Sequence, residues 1–275
     1  SAIEAGDIEV GIAGGVEDMF TIPQGGFAPD FNVKLAEQDY YISMGEGAEL
    51  LADELNISRE EQEEFSFSSH EKAVAAREAG KFDNEIVPIT LEDGTIIDQD
   101  SGPRNPDKEK IKSLNPAFRA DGTVTAATSS PFSIGASAML ITSENFANKH
   151  GLKIRAFIEG RAVAGVNWKM FGSGPVPATK KALEKTGLSI DDIDALELNE
   201  AFAAQALYCI KKANWNPDKV NLNGGAVALG HPLGISGTRI ITTLLNVLEQ
   251  NDKNTGLATM CVGTGQGITT IIKRG

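Results

Sequence analysis

Three stretches in the second half of the chain set reactive side chains among apolar residues at the ends of strand-like runs, two of them rich in glycine. They are "LELNEAF" from Leu196, "NLNGGAVALGHPLGISG" from Asn221 and "MCVGTGQG" from Met260. Asn199 offers a neutral orienting amide, His231 a proton carrier near neutral pH, and Cys261 a thiol that can serve as acid, base or nucleophile. Each has a plainer reading alone: Asn199 as the cap of the helix that follows, Cys261 as a small buried hydrophobe, His231 as a satisfied loop histidine and "GTGQG" as a turn. All three stretches, however, follow runs of strand length. In α/β sheets ligands collect outside the carboxyl ends of strands, so the three residues are candidates for one site.

The elements that must position them can be read from the hydrophobic pattern. "DALEL" (194–198), "KVNLN" (219–223), "LATMCV" (257–262) and "GITTIIKR" (267–274) predict strands. "NEAFAAQALYCIKKA" (199–213) and "SGTRIITTLLNVLEQ" (236–250) predict helices between them. The alternation predicts a mainly parallel, covered sheet whose last two strands turn back antiparallel through "GTGQ". "KIRAFIEGRAVAG" opens this final domain with another strand, and "IEVGIAGGVE" and "GASAMLITSE" predict two strands earlier in the chain. Between these two, from about Asp18 to Ala127, the chain is more polar and reads as an insertion. It contains a helix that starts with capping-box spacing at Ser58 and Glu61 and runs to a C-cap at Gly80. The aperiodic residues 91–118 are expected to be hairpin and loop.

Composition limits the rest. A chain of 275 residues can hold two compact units, or one with a sizeable insertion. The net charge of −13 argues against general affinity for nucleic acid or anionic lipid. Cys209 and Cys261 are the only cysteines and have neither disulfide nor zinc spacing. A reducing compartment, taken as the cytoplasm, is expected, with no metal. No apolar run reaches the length of a membrane span, and "SAIEAGDIEV" lacks a signal-peptide pattern. His70 and His150 read as helix-surface residues.

"NEAFAAQ", "NLNGGAVALGHPLGISGTRI" and "CVGTGQG", in this order and spacing, resemble the three C-terminal signature blocks of the thiolases, the acyl-CoA acetyltransferases. "GGVEDM" and "DGTVTAATSSPFSIGASAML" are similar to further blocks, so the resemblance covers the whole chain. "TSS" at Thr128–Ser130 and "LNEAFAAQ" place it nearer the degradative 3-ketoacyl-CoA thiolases than the biosynthetic type. The resemblance implies an α/β fold layered α-β-α-β-α, with a loop-domain insertion. Residues 1–18 would be a remnant of the N-terminal domain, 19–132 the inserted CoA-binding loop domain, 133–153 the return to the N-terminal domain and 154–275 the C-terminal domain. The implied reaction is thiolytic cleavage of a 3-ketoacyl-CoA by CoA, or the reverse Claisen condensation. CoA and acyl-CoA are substrates and no other cofactor is implied; the full-length form would be a homodimer or homotetramer.

The resemblance also assigns roles. His231 would activate the nucleophile and help bind the thioester oxygen, and Asn199 would hold a water as the second donor of that oxyanion site. Cys261 would exchange a proton with the substrate α-carbon or the CoA thiol, and the Gly263 N–H would serve a second oxyanion hole. Met44, Ser130, Phe171 and Phe202 match positions along the pantetheine slot; core packing is the plainer reading of Met44, Phe171 and Phe202. Where many relatives carry Asn-Asp after the serine of this loop, the chain has Ser133 and Ile134. The family's nucleophilic cysteine lies a short helix upstream of "GGVE", at a position that would precede Ser1. The N-terminal half is therefore expected to be incomplete and the chain inactive alone. Cys209, mid-helix in "ALYCIKK", reads as packing. The alternatives are a non-catalytic CoA-binding or structural remnant, and a decarboxylating ketosynthase, which the single histidine in a matching block disfavours.

Overall fold

The computed structural model describes residues 1–21 and 30–275; residues 22–29 of the expected insertion lie outside them. In chain order the elements are α1 (Ala2–Ala5), β1 (Val10–Asp18), α2 (Val33–Ala36), α3 (Met44–Leu55), α4 (Arg59–Glu78), β2 (Ile89–Thr90), β3 (Ile96–Ile97), α5 (Lys108–Lys112), β4 (Ile134–Thr142), α6 (Glu144–Lys149), β5 (Ala156–Gly165), α7 (Pro175–Thr186), β6 (Ala195–Leu198), α8 (Ala203–Ala213), α9 (Ala226–Leu229), α10 (Ser236–Gln250), β7 (Thr255–Val262) and β8 (Gln266–Arg274).

β1 and β4 pair antiparallel from Val10↔Thr142 to Asp18↔Ile134, so the chain between them leaves and returns at one end of this ladder. Its return is fixed by Glu49 of α3, a buried carboxylate that accepts the Thr123 and Val124 N–H groups at 3.0 Å. A Cβ on Gly122 would land on that carboxylate, so only glycine fits there. α4 starts with the expected capping box at Ser58 and Glu61, and Gly80 just past it takes the left-handed conformation. Residues 91–118 depart from a pure hairpin and loop. The β2–β3 hairpin is followed by the single-turn α5, capped by the Asp107 carboxylate accepting from Lys110 N–H.

The second sheet has strand order β5-β8-β7-β6. Alternation splits its side chains between two cores. Leu196, Leu198, Leu257 and Ile271 pack with Ala182 of α7 and Ala206 and Cys209 of α8. Ala195, Ala258 and Ile272 pack with Ile240, Leu244 and Leu248 of α10. Because α10 also touches β1 and β4, four layers succeed one another among the described residues: the β1–β4 pair, α10, the four-stranded sheet, then α7 with α8.

The sheet is not mainly parallel. Only β6–β7 is a parallel pair; β7–β8 and β8–β5 are antiparallel. The turn Gly263–Thr264–Gly265 forces the first reversal, with Thr264 and Gly265 at positive φ. "KVNLN" forms one bridge, Val220 to Leu196, rather than a strand. Asn221 turns into the left-handed region at φ 48°, and its side chain replaces the ladder. Its Oδ1 accepts Leu198 N–H at 2.8 Å and its Nδ2 donates to Leu198 O at 2.9 Å.

His70 is not on a helix surface. α4 packs against α8 and α9, which buries His70 and pushes its pKa down to about 4, first through desolvation and then through the Arg104 charge. His150 is exposed at the end of α6, as expected.

Candidate functional site

The site grows from the end of β6. The chain there is committed to the sheet by Asn199 N–H donating to Thr259 O at 3.0 Å, which sets Asn199 beside β7. Asn199 does not cap α8: that helix begins at Ala203, with Phe202 in extended conformation as its N-cap. The freed amide is 1 % exposed, and its Nδ2 lies 3.3 Å from Nε2 of His231; its Oδ1 has no protein partner.

His231 sits in the loop from Gly230 to Ile235, between α9 and α10. Gly230 has φ 92°, a conformation that side chains resist. The loop is tied to β1 by Gly234 N–H, which donates to the Glu17 carboxylate at 3.0 Å. Nδ1 of His231 is 2.6 Å from Oγ of Ser236, the first residue of α10. Burial, and then the positive charge of Arg239, push the His231 pKa down to about 4, so the imidazole is neutral at pH 7.

Cys261, near the end of β7, packs against Ala201, Phe171 and Phe202. Burial pushes its thiol up to about 12. Gly263 begins the β7–β8 turn, and Met44 Sδ stands 3.8 Å from where its Cβ would lie. Ser130 N–H donates to Ala201 O at 3.0 Å, and Ser129 bridges to Phe202, so the "TSS" segment lies along "NEAF". Phe202 stacks edge-on against Phe118, with ring centroids 5.9 Å apart. Phe171 is buried, and its ring occupies the space a Cβ on Gly47 would need.

The eight expected residues thus fall into three sets, the first two joined by residues 199–202. Asn199 pairs with His231; Cys261, Phe171 and Phe202 form one packed cluster that Ser130 borders through Ala201, with Gly263 and Met44 next to each other at the turn. Among the described residues no cluster of His, Cys, Asp or Glu could hold a metal ion, and no helix is long and apolar enough to cross a membrane.

Sequence reasoning missed three carboxylates and a hydroxyl. Glu200 is buried, accepts from Ser69 Oγ at 2.7 Å, Asn221 Nδ2 at 2.7 Å and Val227 N–H at 3.1 Å, and so ties α4, the Asn221 turn and α9 to the site. Burial raises its pKa. Glu197 is buried with Oε1 unpaired, and burial pushes its pKa to about 8. A charge inside the apolar run "ALELNEAFAA" was the available signal for both. Glu17 and Ser236 gave no signal, because their partners are distant in sequence or lie across a proline.

The comparisons with known proteins make this α/β chain an acyltransferase. Family models for the thiolase N-terminal domain and the thiolase C-terminal domain match residues 1–145 and 152–274, and the chain belongs to the thiolase family. It is 50 % identical to a 3-ketoacyl-CoA thiolase of Vibrio parahaemolyticus serotype O3:K6 (strain RIMD 2210633), over 99 % of this chain and 72 % of that protein. It is also 50 % identical to a 3-ketoacyl-CoA thiolase of Serratia proteamaculans (strain 568), over 99 % of this chain and 73 % of that one. Among solved structures, the acetyl-CoA acetyltransferase of Bacillus anthracis superposes with a TM-score of 0.91 at 40 % identity, covering 99 % of this chain and 74 % of that chain. Human mitochondrial 3-ketoacyl-CoA thiolase in complex with CoA gives 0.90 at 36 % identity, covering 100 % and 73 %.

Proposed function

We propose that the reaction is thiolytic cleavage of a 3-ketoacyl-CoA by CoA, to acetyl-CoA and a shortened acyl-CoA, or the reverse Claisen condensation, within fatty-acid β-oxidation. The observation that carries this reading is a neutral imidazole, His231, with Nε2 toward the buried amide of Asn199, while Cys261 packs against Ala201 of the same segment. His231 takes the nucleophile's proton and, with a water held by Asn199, donates to the thioester oxygen as charge develops. Cys261 exchanges a proton with the α-carbon or the CoA thiol. The Gly263 N–H serves a second oxyanion hole, where the missing side chain lets a carbonyl approach. Met44, Ser130, Phe171 and Phe202 line the pantetheine slot. Two free cysteines suit a cytoplasmic setting, and a homodimer or homotetramer is the assembly we expect, with CoA thioesters the only other partners and no resident cofactor.

A second reading, CoA binding without turnover, is favoured by one observation: Cys209 and Cys261 are both buried, which disfavours the thiolate. The deciding experiment follows loss of a 3-ketoacyl-CoA on adding CoA, for this chain and for a form extended at its N-terminus, with calorimetric titration of CoA alongside. Turnover by either form that collapses in His231→Ala supports acyl transfer. CoA binding by both forms with turnover by neither selects the second reading, and a folded protein that does not bind CoA overturns both.

A further inference from the structure

A cavity of about 230 Å³ lies between α4, α8 and the Asn221 turn. It touches none of Met44, Ser130, Phe171, Phe202, His231 or Cys261. Helical spacing builds its walls. Phe65, Ser68 and Lys72 follow one another on one face of α4, and Leu207, Ile210 and Lys211 do the same on α8, so each helix turns a mostly apolar stripe with a final lysine to the cavity. The two lysines differ. Lys211 is ion-paired with Glu61, so its charge is already matched. Lys72 donates to Val220 O at 3.2 Å and makes no ion pair among the described residues, which leaves two ammonium hydrogens for another acceptor. Ser68, one turn earlier on the same face, adds a hydroxyl without a protein partner among the described residues. Glu200 borders the floor, but both its oxygens are engaged, one by Asn221 Nδ2 and the other by Ser69 Oγ and Val227 N–H, and burial disfavours its charge.

We propose that this cavity is a second binding site, for a short alkyl monocarboxylate. The carboxylate accepts from the Lys72 ammonium and the Ser68 hydroxyl, and the alkyl chain covers Phe65, Leu207 and Ile210. Charge and size select this class. One unmatched cation calls for one negative charge, and a polyanion would find the second lysine already paired. At roughly 30 Å³ per heavy atom, the share of a water in the liquid, the cavity takes about eight heavy atoms, the size of hexanoate. So few atoms give a millimolar dissociation constant. None of these contacts depends on the acyl-transfer reading.

Titration of hexanoate into the protein at neutral pH, followed through the methyl resonances of Leu207 and Ile210, tests the site. Both should shift saturably, with a millimolar dissociation constant that saturating CoA leaves unchanged. Hexan-1-ol, which keeps the chain and loses the charge, should bind the parent protein about tenfold more weakly or worse. Lys72→Met should weaken hexanoate by a similar factor, and Leu207→Trp, which fills the cavity from α8, should abolish the saturable shift at Ile210, each in a variant whose amide spectrum matches the parent's. Three results on the parent protein alone overturn the proposal: no saturable shift at these methyls, displacement of hexanoate by CoA, or equal affinity for hexanoate and hexan-1-ol. Undiminished hexanoate binding in folded Leu207→Trp overturns it as well. Failure of the protein to bind CoA or to turn over would count against the acyl-transfer reading and leave the hexanoate result unaffected.

Discussion

Nδ2 of Asn199, where β6 ends, stands 3.3 Å from Nε2 of His231, 32 residues later in the chain. Both residues are anchored: Asn199 N–H is bonded to β7, and the His231 loop is tied to β1 through Glu17. Such a preorganised pair contributes to rate rather than to folding. In a turnover-competent form, His231→Ala should lower acyl transfer by on the order of a hundredfold or more, with the denaturant midpoint little changed. Turnover within a few-fold of the parent would return His231 to the packing reading.

Met44 and Phe171 were both expected along the pantetheine slot, yet they sit in different environments. Met44 is 40 % exposed next to Gly263, whereas Phe171 is 2 % exposed and packs under Cys261. Met44→Ala should weaken calorimetric CoA binding while leaving stability within about 1 kcal/mol. Phe171→Ala should destabilise by roughly 3–5 kcal/mol through the cavity it opens. Equal losses of stability in the two variants would show that Met44 is packed as tightly as Phe171.

How much of this was legible in the sequence depends on the range of the interactions involved. The strand at 194–198 and the helix at 236–250 are written in local periodicity and were found where expected. The antiparallel return through the turn at Gly263 was expected and is found, but the direction of β5 was not legible, because it is decided by which edge of β8 receives it, a matter of distant pairing. "KVNLN" had strand composition, but Asn221 spends its amide on Leu198 instead of its backbone on a ladder. The Asn199–His231 pair could be foreseen in part, because Asn199 stands at a strand end and His231 in a glycine-rich loop. Ser236 could not, since its contact with His231 Nδ1 depends on how the loop after Pro232 turns back.

Glu197 makes stability depend on pH with a definite sign. Burial raises its folded pKa from 4.5 to about 8, although Arg239 and Lys72 lower it; Glu85 and Glu200 raise it further. Folding then retains a proton that the unfolded chain releases above about 4.5, so this contribution is full in acid and is lost as pH rises through 8. His231 and His70, both pushed down to about 4, act oppositely: the unfolded chain takes up their protons below 6.5, and stability falls as pH drops toward 4. Glu197→Gln should therefore raise Tm relative to the parent at about pH 8.5 by more than at about pH 5. Parallel Tm curves for the two proteins would place the titrating group elsewhere.

Gly225 adjoins the Glu200 carboxylate so closely that a Cβ would overlap it, and three hydrogen bonds keep that carboxylate from moving aside. Gly225→Ala should lower stability by about 1–3 kcal/mol, read as a drop in denaturant midpoint at unchanged slope. A neutral result would mean that the Glu200 network yields more easily than its bonds suggest.

The two cysteines set the last expectation. Ping-pong acyl transfer needs a thiolate that holds the acyl group between two CoA molecules. Cys209 is fully buried in α8, donates its thiol hydrogen to Gly172 O at 3.2 Å, and is raised in pKa by desolvation, so it is neither ionised nor accessible. Cys261 lies at the site, but its thiol is pushed up to about 12, which suits moving a proton rather than attacking a thioester at neutral pH. A polypeptide whose only thiols are these two should not thiolyse a 3-ketoacyl-CoA, because the remaining groups act through a thiolate that neither cysteine supplies. The comparison is between these 275 residues and an N-terminally extended form, assayed side by side for loss of 3-ketoacyl-CoA on adding CoA. The 275 residues alone should not turn over. Robust turnover by the shorter one, abolished by Cys261→Ser and untouched by Cys209→Ser, would make Cys261 the nucleophile and would require its thiol to ionise far more readily than its burial implies.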